Sequence, residues 1–394
     1  MDAEIVIFGG NAHPELADEM CSYLGVPRSP VVTRRFANDC LQVQLQANCR
    51  ERDVYIIQPL VPPVQENLVE LLLMADAARG ASAARVTAVM SHYAYARSDK
   101  KDAPRISIGG RLVADLLVTA GVNRVLTLTL HSPEVHGFFS VPVDHLHALR
   151  ELTAHFGKRD LSRTVVLSPD LGYAKSAAAF ARRLGVPVAA GAKERFSDEK
   201  VSISSIIGDV AYKDVIVLDD EIARGTTILE LLSMLRHHEP RSISVACTHG
   251  LFADGALEKL AAAEDVSEIV CTNSVPVPVA HPKLTVLSIA PALAEAIRRT
   301  HDGQSVSVLF EQLSSGGTAG GACRGGVRLL GGSGRDDQEV TMPSTVAGEV
   351  PAQASWRRAA SARYNLLSRS VKSKKRTAHE RRPLAPPAIP DQVR

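Results

Sequence analysis

An apolar run, Val215-Ile216-Val217-Leu218, leads straight into the acidic pair Asp219-Asp220 and then, past Glu221-Ile222-Ala223, into Arg224-Gly225-Thr226-Thr227 at the head of an apolar helical pattern. Carboxylates at a strand's end can accept hydrogen bonds from vicinal sugar hydroxyls. A small-residue turn opening a helix offers backbone N–H groups and hydroxyls where phosphate is favoured. One ligand, ribose 5-phosphate, would satisfy both halves. The alternative at this point is a buried strand followed by an ordinary acidic turn.

Other residues extend the same chemistry. Lys193-Glu194-Arg195 opens a polar stretch running to Lys200, read as a loop. Two cations on a lid could close over a polyphosphate and offset charge that builds during transfer, although an exposed charged loop is an equal reading. The run Tyr95 to Lys101 follows the strand-like run Val86 to Met90, so Arg97, Lys100 and Lys101 emerge at a ligand-binding edge that favours nucleotide phosphates. His131 follows Val125 to Leu130 and is placed to meet a metal or a phosphate, though a strand-end histidine is more often only hydrogen-bonded. Asp170, after Leu167-Ser168-Pro169, suits Mg²⁺ or a ribose hydroxyl. Magnesium takes few protein ligands and fills its shell with water and phosphate, so a sparse acidic set is no objection. No catalytic triad, zinc-protease motif or Walker A loop occurs.

These residues need a sheet to position them. Strand-like runs alternate with amphipathic helical stretches from Ile5 to about Phe310, the pattern of parallel sheets covered by helices. Strands fit Arg124 to Leu130, Thr164 to Leu167, Val215 to Leu218, Ser242 to Cys247 and Glu268 to Cys271. Leu41, Val43 and Leu45 alternate with Gln42, Gln44 and Gln46, predicting a half-buried strand in a hairpin with the segment near Arg34 and Phe36. Strand, helix and strand at Asp53 to Ile57, Leu68 to Met74 and Arg85 to His92 recur at Asp214 to Leu218, Ile228 to Met234 and Arg241 to His249, an offset of about 160 residues. Two similar α/β domains are the natural reading, chance likeness of two amphipathic units the bland one. The first copy carries Gln58-Pro59-Leu60-Val61-Pro62-Pro63 where the second has its acids. The expected division is 1–146 and 147–313. From 314 to 394 the chain turns rich in Gly, Ser, Pro and Arg, with Trp356 and a Lys372 to Arg376 cluster. It is read as a disordered basic tail, a solvated extension rather than a nucleic-acid contact.

Bulk properties agree with a globular enzyme. The 394 residues are 45% hydrophobic with a formal net charge of +2, which gives no case for nucleic-acid binding by the whole chain. The six cysteines form no CxxC pair, so free thiols in a reducing compartment are expected. No signal-peptide pattern and no uncharged membrane-length run is present, and a cytoplasmic location is the expectation.

With these residues in hand, the chain resembles the ribose-phosphate pyrophosphokinase (phosphoribosyl pyrophosphate synthetase) family over roughly residues 4 to 312. The likeness is carried by Phe8-Gly9-Gly10-Asn11-Ala12, Arg35-Phe36, Tyr95-Ala96-Arg97, Leu130-His131, Gly137-Phe138-Phe139, Ser168-Pro169-Asp170, Ile207-Gly208-Asp209-Val210, Asp219-Asp220 and Leu293 to Arg299, in order and at matching spacing. The resemblance implies two phosphoribosyltransferase-like domains, Mg²⁺ as cofactor, and transfer of ATP's β,γ-diphosphoryl group to the anomeric hydroxyl of ribose 5-phosphate. Asp219, Asp220, Arg224, Gly225, Thr226 and Thr227 would then hold the sugar phosphate, and Lys193 and Arg195 the catalytic lid. Phe36, Asn38, Arg97 and Asp99 would meet ATP, and His131 and Asp170 the metal. It further implies a homo-oligomer, often a hexamer, in which Phe36 serves a neighbouring subunit.

Several positions depart from the family pattern. Ala223-Arg224-Gly225-Thr226-Thr227 stands where Asp-Thr-Gly-Gly-Thr is usual, so a carboxylate and a glycine are missing. Thr226 would narrow the permitted backbone geometry, and Arg224 could add a charge-assisted phosphate contact. Asn38 and Cys40 replace adenine-side acids, Gly172-Tyr173 a Gly-Gly, and Glu194 sits where a second lid cation is usual. The rivals are a regulatory paralogue without turnover and a phosphoribosyltransferase.

Overall fold

The computed structural model describes residues 4–195, 201–277 and 279–310, with backbone alone at 193–195, 201–204 and 310. The basic tail lies outside the described residues. The chain lays down β1 (Ile5–Gly9), α1 (Pro14–Leu24), β2 (Arg28–Ser29), the pair β3 (Val31–Arg35) and β4 (Leu41–Leu45), then β5 (Asp53–Ile57), α2 (Val64–Gly80), β6 (Arg85–Met90), α3 (Gly109–Ala120), β7 (Arg124–Leu128) and β8 (Val143–Leu146). It continues with α4 (Leu149–Phe156), β9 (Thr164–Ser168), α5 (Ala174–Leu184), β10 (Val188–Arg195), β11 (Val201–Ile207), β12 (Asp214–Ile222), α6 (Thr226–Leu235), β13 (Ser242–Gly250), α7 (Ala256–Ala261), β14 (Val266–Thr272), β15 (Leu284–Leu287) and α8 (Ala290–His301).

Two sheets result, in the orders β2-β1-β5-β6-β7-β8 and β11-β10-β9-β12-β13-β14-β15. Every neighbouring pair is parallel except β10 with β11. The inner strands are buried along their whole length, as in β5 and β9, because helices cover both faces of a parallel sheet. The repeat inferred at an offset of about 160 residues is realised as the same succession of neighbours, β1-β5-β6-β7-β8 against β9-β12-β13-β14-β15. The predicted hairpin is present: β3 and β4 pair antiparallel, with Arg34 opposite Gln42.

Two expectations are corrected. Lys193, Glu194 and Arg195 are not loop: they end β10, antiparallel to β11, with Lys193 opposite Ile203. The alternation is invisible in sequence because Ala189-Ala190-Gly191-Ala192 has no polar–apolar contrast. The strand fitted to Val215–Leu218 is longer than expected: Asp219 and Asp220, placed at its end, lie inside β12, since pairing with β13 runs on through Asp219 opposite Cys247 to Ile222 opposite Gly250.

The last long helix returns to the first sheet. Leu293, Ala294, Ala296 and Ile297 of α8 share one core with Ile7, Leu16, Met20, Tyr55 and Leu126. A buried polar clasp pins the helix end. Asp53 accepts from Arg85 Nε at 2.7 Å and the Tyr55 hydroxyl at 2.9 Å, and meets His301 Nδ1 at 2.9 Å. Burial pushes the Asp53 carboxyl up, but Arg85 and His301 outweigh it and hold it below its ordinary value. A folded-state pKa below the unfolded one contributes stability above the ordinary carboxylate range, lost as pH falls through it. Asp53→Asn is therefore expected to cost about 3–5 kcal/mol near neutrality and to flatten the acid limb of the stability–pH curve, read from denaturant midpoints. An acid limb as steep as wild type would refute the assignment. Among the described residues no helix is long and apolar enough to cross a membrane.

Candidate functional site

The C-terminal ends of β9 and β12 and the segments following β6 and β7 meet at one place, the edge where open α/β sheets bind ligands. A cleft of about 280 Å³ is lined by the whole run Asp219 to Ile228 together with Arg97, His131 and Asp170. A second cleft of about 470 Å³ shares Arg97, His131, Asp170, Asp219 and Asp220 with it and adds Asp99, Lys100, Asp102, Ser132, Gly172 and Tyr173. The two spaces adjoin across five common side chains.

The small-residue turn opens a helix, as the sequence predicts. Gly225 has φ 71° and caps α6, a left-handed conformation that glycine adopts without strain. Thr226 and Thr227 then begin the helix, so the feared constraint from Thr226 is absent: it stands one residue past the left-handed position. Arg224 lines the cleft but its Nε pairs with Asp254 Oδ2 at 2.8 Å, both side chains being exposed. Its charge is thus held at the rim.

The acids are not equivalent. Asp220 is buried, and its Oδ2 meets His131 Nδ1 at 2.8 Å. Burial raises its carboxyl, yet the hydrogen bond and charge of His131 bring it to about 2. That hydrogen bond in turn holds His131 above the usual imidazole value. Nδ1 faces a carboxylate and carries a proton, leaving Nε2 as the free ring nitrogen. Burial and the neighbouring Asp220 push the Asp219 carboxyl well above its ordinary value. Behind His131, Thr129 sits at φ 41°, strained for a β-branched residue, and its carbonyl accepts from His249 Nε2 at 3.0 Å.

Glu221 and His92 were not singled out by sequence reasoning. Glu221 Oε1 lies 3.3 Å from Arg97 Nη2 and its Oε2 3.0 Å from His92 Nε2, while His92 Nδ1 meets the Leu60 carbonyl at 2.8 Å. Burial pushes the Glu221 carboxyl up, but His92 and Arg97 hold it below the usual value. The available signal was the third consecutive acid after Leu218. Asp99 accepts from Ser132 Oγ at 2.7 Å, which fixes it on the wall of the larger cleft. Asp170 Oδ1 accepts from the Tyr173 backbone amide at 3.1 Å, a bond that glycine at 173 would make equally. Phe36 and Asn38 are not brought to either cleft. They cap the β3–β4 hairpin, where Phe36 is 50% exposed and Asn38 Oδ1 accepts from the Cys40 amide at 3.3 Å. Lys193 and Arg195 are described only by backbone, on β10 beside β9.

Paired sheets, acids facing cations across a shared wall and a glycine-capped helix define a phosphoribosyl-handling class of α/β transferase. The N-terminal domain of ribose phosphate pyrophosphokinase matches residues 5–121, and the phosphoribosyl synthetase-associated domain matches residues 192–311. A Deinococcus radiodurans ribose-phosphate pyrophosphokinase is 49% identical over 313 residues, covering 78% of this chain and 98% of its own. A Streptomyces coelicolor protein bearing that name provisionally is 70% identical over 315 residues, 79% of this chain and 99% of its own. The crystal structure of phosphoribosylpyrophosphate synthetase from Mycobacterium smegmatis superposes with a TM-score of 0.72 at 38% identity, covering 76% of this chain and 99% of that one. The chain belongs to the ribose-phosphate pyrophosphokinase family, and it is an enzyme of the transferase class.

Proposed function

We propose that the chain transfers the β,γ-diphosphoryl group of ATP to the 1-hydroxyl of ribose 5-phosphate, releasing AMP and forming phosphoribosyl pyrophosphate for nucleotide biosynthesis. The observation that carries the reading is the pair of adjoining clefts with five side chains in common, one ending in a phosphate-type turn and the other lined by Lys100 and Asp99. Two ligands bound there would meet along a single wall. Asp219 and Asp220 accept the ribose hydroxyls, and Gly225, Thr226 and Thr227 take the 5-phosphate on backbone N–H groups and hydroxyls. Arg97 and Asp99 hold the nucleotide. Lys193 and Arg195 approach from the β10–β11 ribbon to offset charge on the transferring group.

Among the described residues no three His, Cys, Asp or Glu side chains converge closely enough to hold a metal alone. Mg²⁺ needs no such cluster, because it completes its shell from phosphate and water. Asp170 and His131 are the side chains that would stand nearest the ion, Asp170 the better match because Mg²⁺ prefers oxygen. When bound, the ion neutralises charge on the phosphate oxygens. Phe36 and Asn38, exposed on their hairpin, suit the adenine of a neighbouring subunit's nucleotide in a homo-oligomer. The division at 146/147 into a nucleotide half and a sugar-phosphate half, with α8 returned to the first, is part of the same reading, as is a reducing, cytoplasmic setting for the free thiols Cys21, Cys40, Cys49, Cys247 and Cys271.

Purified protein with ATP, Mg²⁺ and ribose 5-phosphate should release AMP in strict dependence on the sugar phosphate. No sugar-dependent AMP would overturn the reading. Pyrophosphate release from phosphoribosyl pyrophosphate and a nucleobase would point instead to a phosphoribosyltransferase.

A further inference from the structure

We infer that Glu221, held by His92, is a positioning residue that stations Arg97 for the nucleotide, so that the sugar-phosphate crest and the nucleotide edge are built around one carboxylate; this rests on the assignment of Arg97 to the ATP side. Arg97 is a long side chain, 52% exposed, which free in solvent would explore many rotamers. One Nη2 contact to Glu221 Oε1 at 3.3 Å anchors it and leaves its other donors open. An anchor works only if it is itself fixed. The Glu221 side chain is 11% exposed and that of His92 is 4% exposed, and the Nε2 to Oε2 contact of 3.0 Å ties the carboxylate to the end of β6. His92 is locked in turn by the Leu60 carbonyl at 2.8 Å and by an edge contact with the buried His249 ring, centroids 4.9 Å apart. The chain of contacts therefore leads from the Leu60 backbone through two side chains to the guanidinium.

Glu221 touches both clefts' owners differently. It lines the smaller cleft with Asp219 and Asp220 yet pairs only with His92 and Arg97 of the first half, so its loss should be felt chiefly by the nucleotide. The expected result for Glu221→Gln is a KM for ATP raised about tenfold, with the KM for ribose 5-phosphate within about twofold of wild type. His92→Ala should reproduce the direction, and His92→Gln, which keeps a donor toward Glu221, should recover part of the loss. In an Arg97→Met background Glu221→Gln should add no further ATP penalty, because the residue it positions is gone.

Binding of a non-hydrolysable ATP analogue, measured by titration calorimetry on the full chain, reads the same link without turnover. If wild type makes no sugar-dependent AMP but Glu221→Gln still weakens the analogue, the proposed reaction fails while the positioning role stands. An unchanged ATP affinity, an equal loss for ribose 5-phosphate, or an undiminished penalty in the Arg97→Met background would overturn the inference. Should Glu221→Gln fail to fold, Glu221→Asp, which keeps the charge and shortens the reach, is expected to give the same selective rise in KM for ATP.

Discussion

Lys193→Ala is expected to lower kcat about a hundred- to a thousandfold, with the KM values of ATP and ribose 5-phosphate changed little. Strand register sets where residue 193 lies along the sheet. Leu167 of β9 stands beside Ala189 of β10 on one side and Val217 of β12 on the other, and all three strands run parallel. Leaving that common row toward the same edge, the chain reaches Asp219 on β12, Asp170 beyond β9 and Lys193 on β10. In the proposed reading, a lysine borne on the β10–β11 ribbon offsets charge that develops during diphosphoryl transfer. An interaction made chiefly in the transition state shows in kcat rather than in KM. Initial rates of AMP formation at saturating substrates measure it, with circular dichroism to check that the variant is folded. Turnover equal to wild type would remove Lys193 from the proposed chemistry, and a loss confined to KM would make it a ground-state binding residue.

Much of the positioning frame was legible from local pattern. Strict alternation at Leu41, Val43 and Leu45 announced the β3–β4 hairpin, and the apolar run before Asp219 announced β12. What escaped was decided by contacts distant in sequence. The strand reads as ending at Leu218 because carboxylates are rare in a buried strand, whereas β13 supplies the pairing that carries β12 on through the acids. Residues 193–195 read as a loop because the small residues before them have no period, and only β11 reveals the ribbon. The His92–Glu221 contact joins residues 129 positions apart, and no local rule connects a histidine after one strand with an acid inside another. The resemblance located individual residues, while the pairs that hold them came from the fold.

The altered phosphate turn also takes on a physical meaning. With Asp219, Asp220 and Glu221 already crowded on one strand end, burial and like charge push Asp219 well above its ordinary value. A further carboxylate at position 223 would add to that repulsion, and Ala223 omits it. Arg224, paired with Asp254 in the exposed rim, supplies positive charge on the same turn without entering the helix. The left-handed position that shapes the turn remains glycine. The departures therefore change the charge around the site while keeping its backbone.

The second large effect is expected at Asp220. Asp220→Asn preserves the shape of the side chain but removes a charge, and the KM for ribose 5-phosphate should rise by about one to two orders of magnitude, the worth of a charge-assisted hydrogen bond at a buried site. The same substitution unties His131, whose Nδ1 lies 2.8 Å from Asp220 Oδ2, so kcat should fall as well. Those two consequences can be separated. His131→Gln leaves the Asp220 carboxylate in place, and it should spare the KM for ribose 5-phosphate while lowering turnover. If instead both variants raise that KM equally, Asp220 acts on the sugar only by holding His131. If Asp220→Asn leaves the KM for ribose 5-phosphate unaltered, the acidic end of β12 is not where the pentose binds, and the proposed orientation of the two substrates across their common wall fails with it.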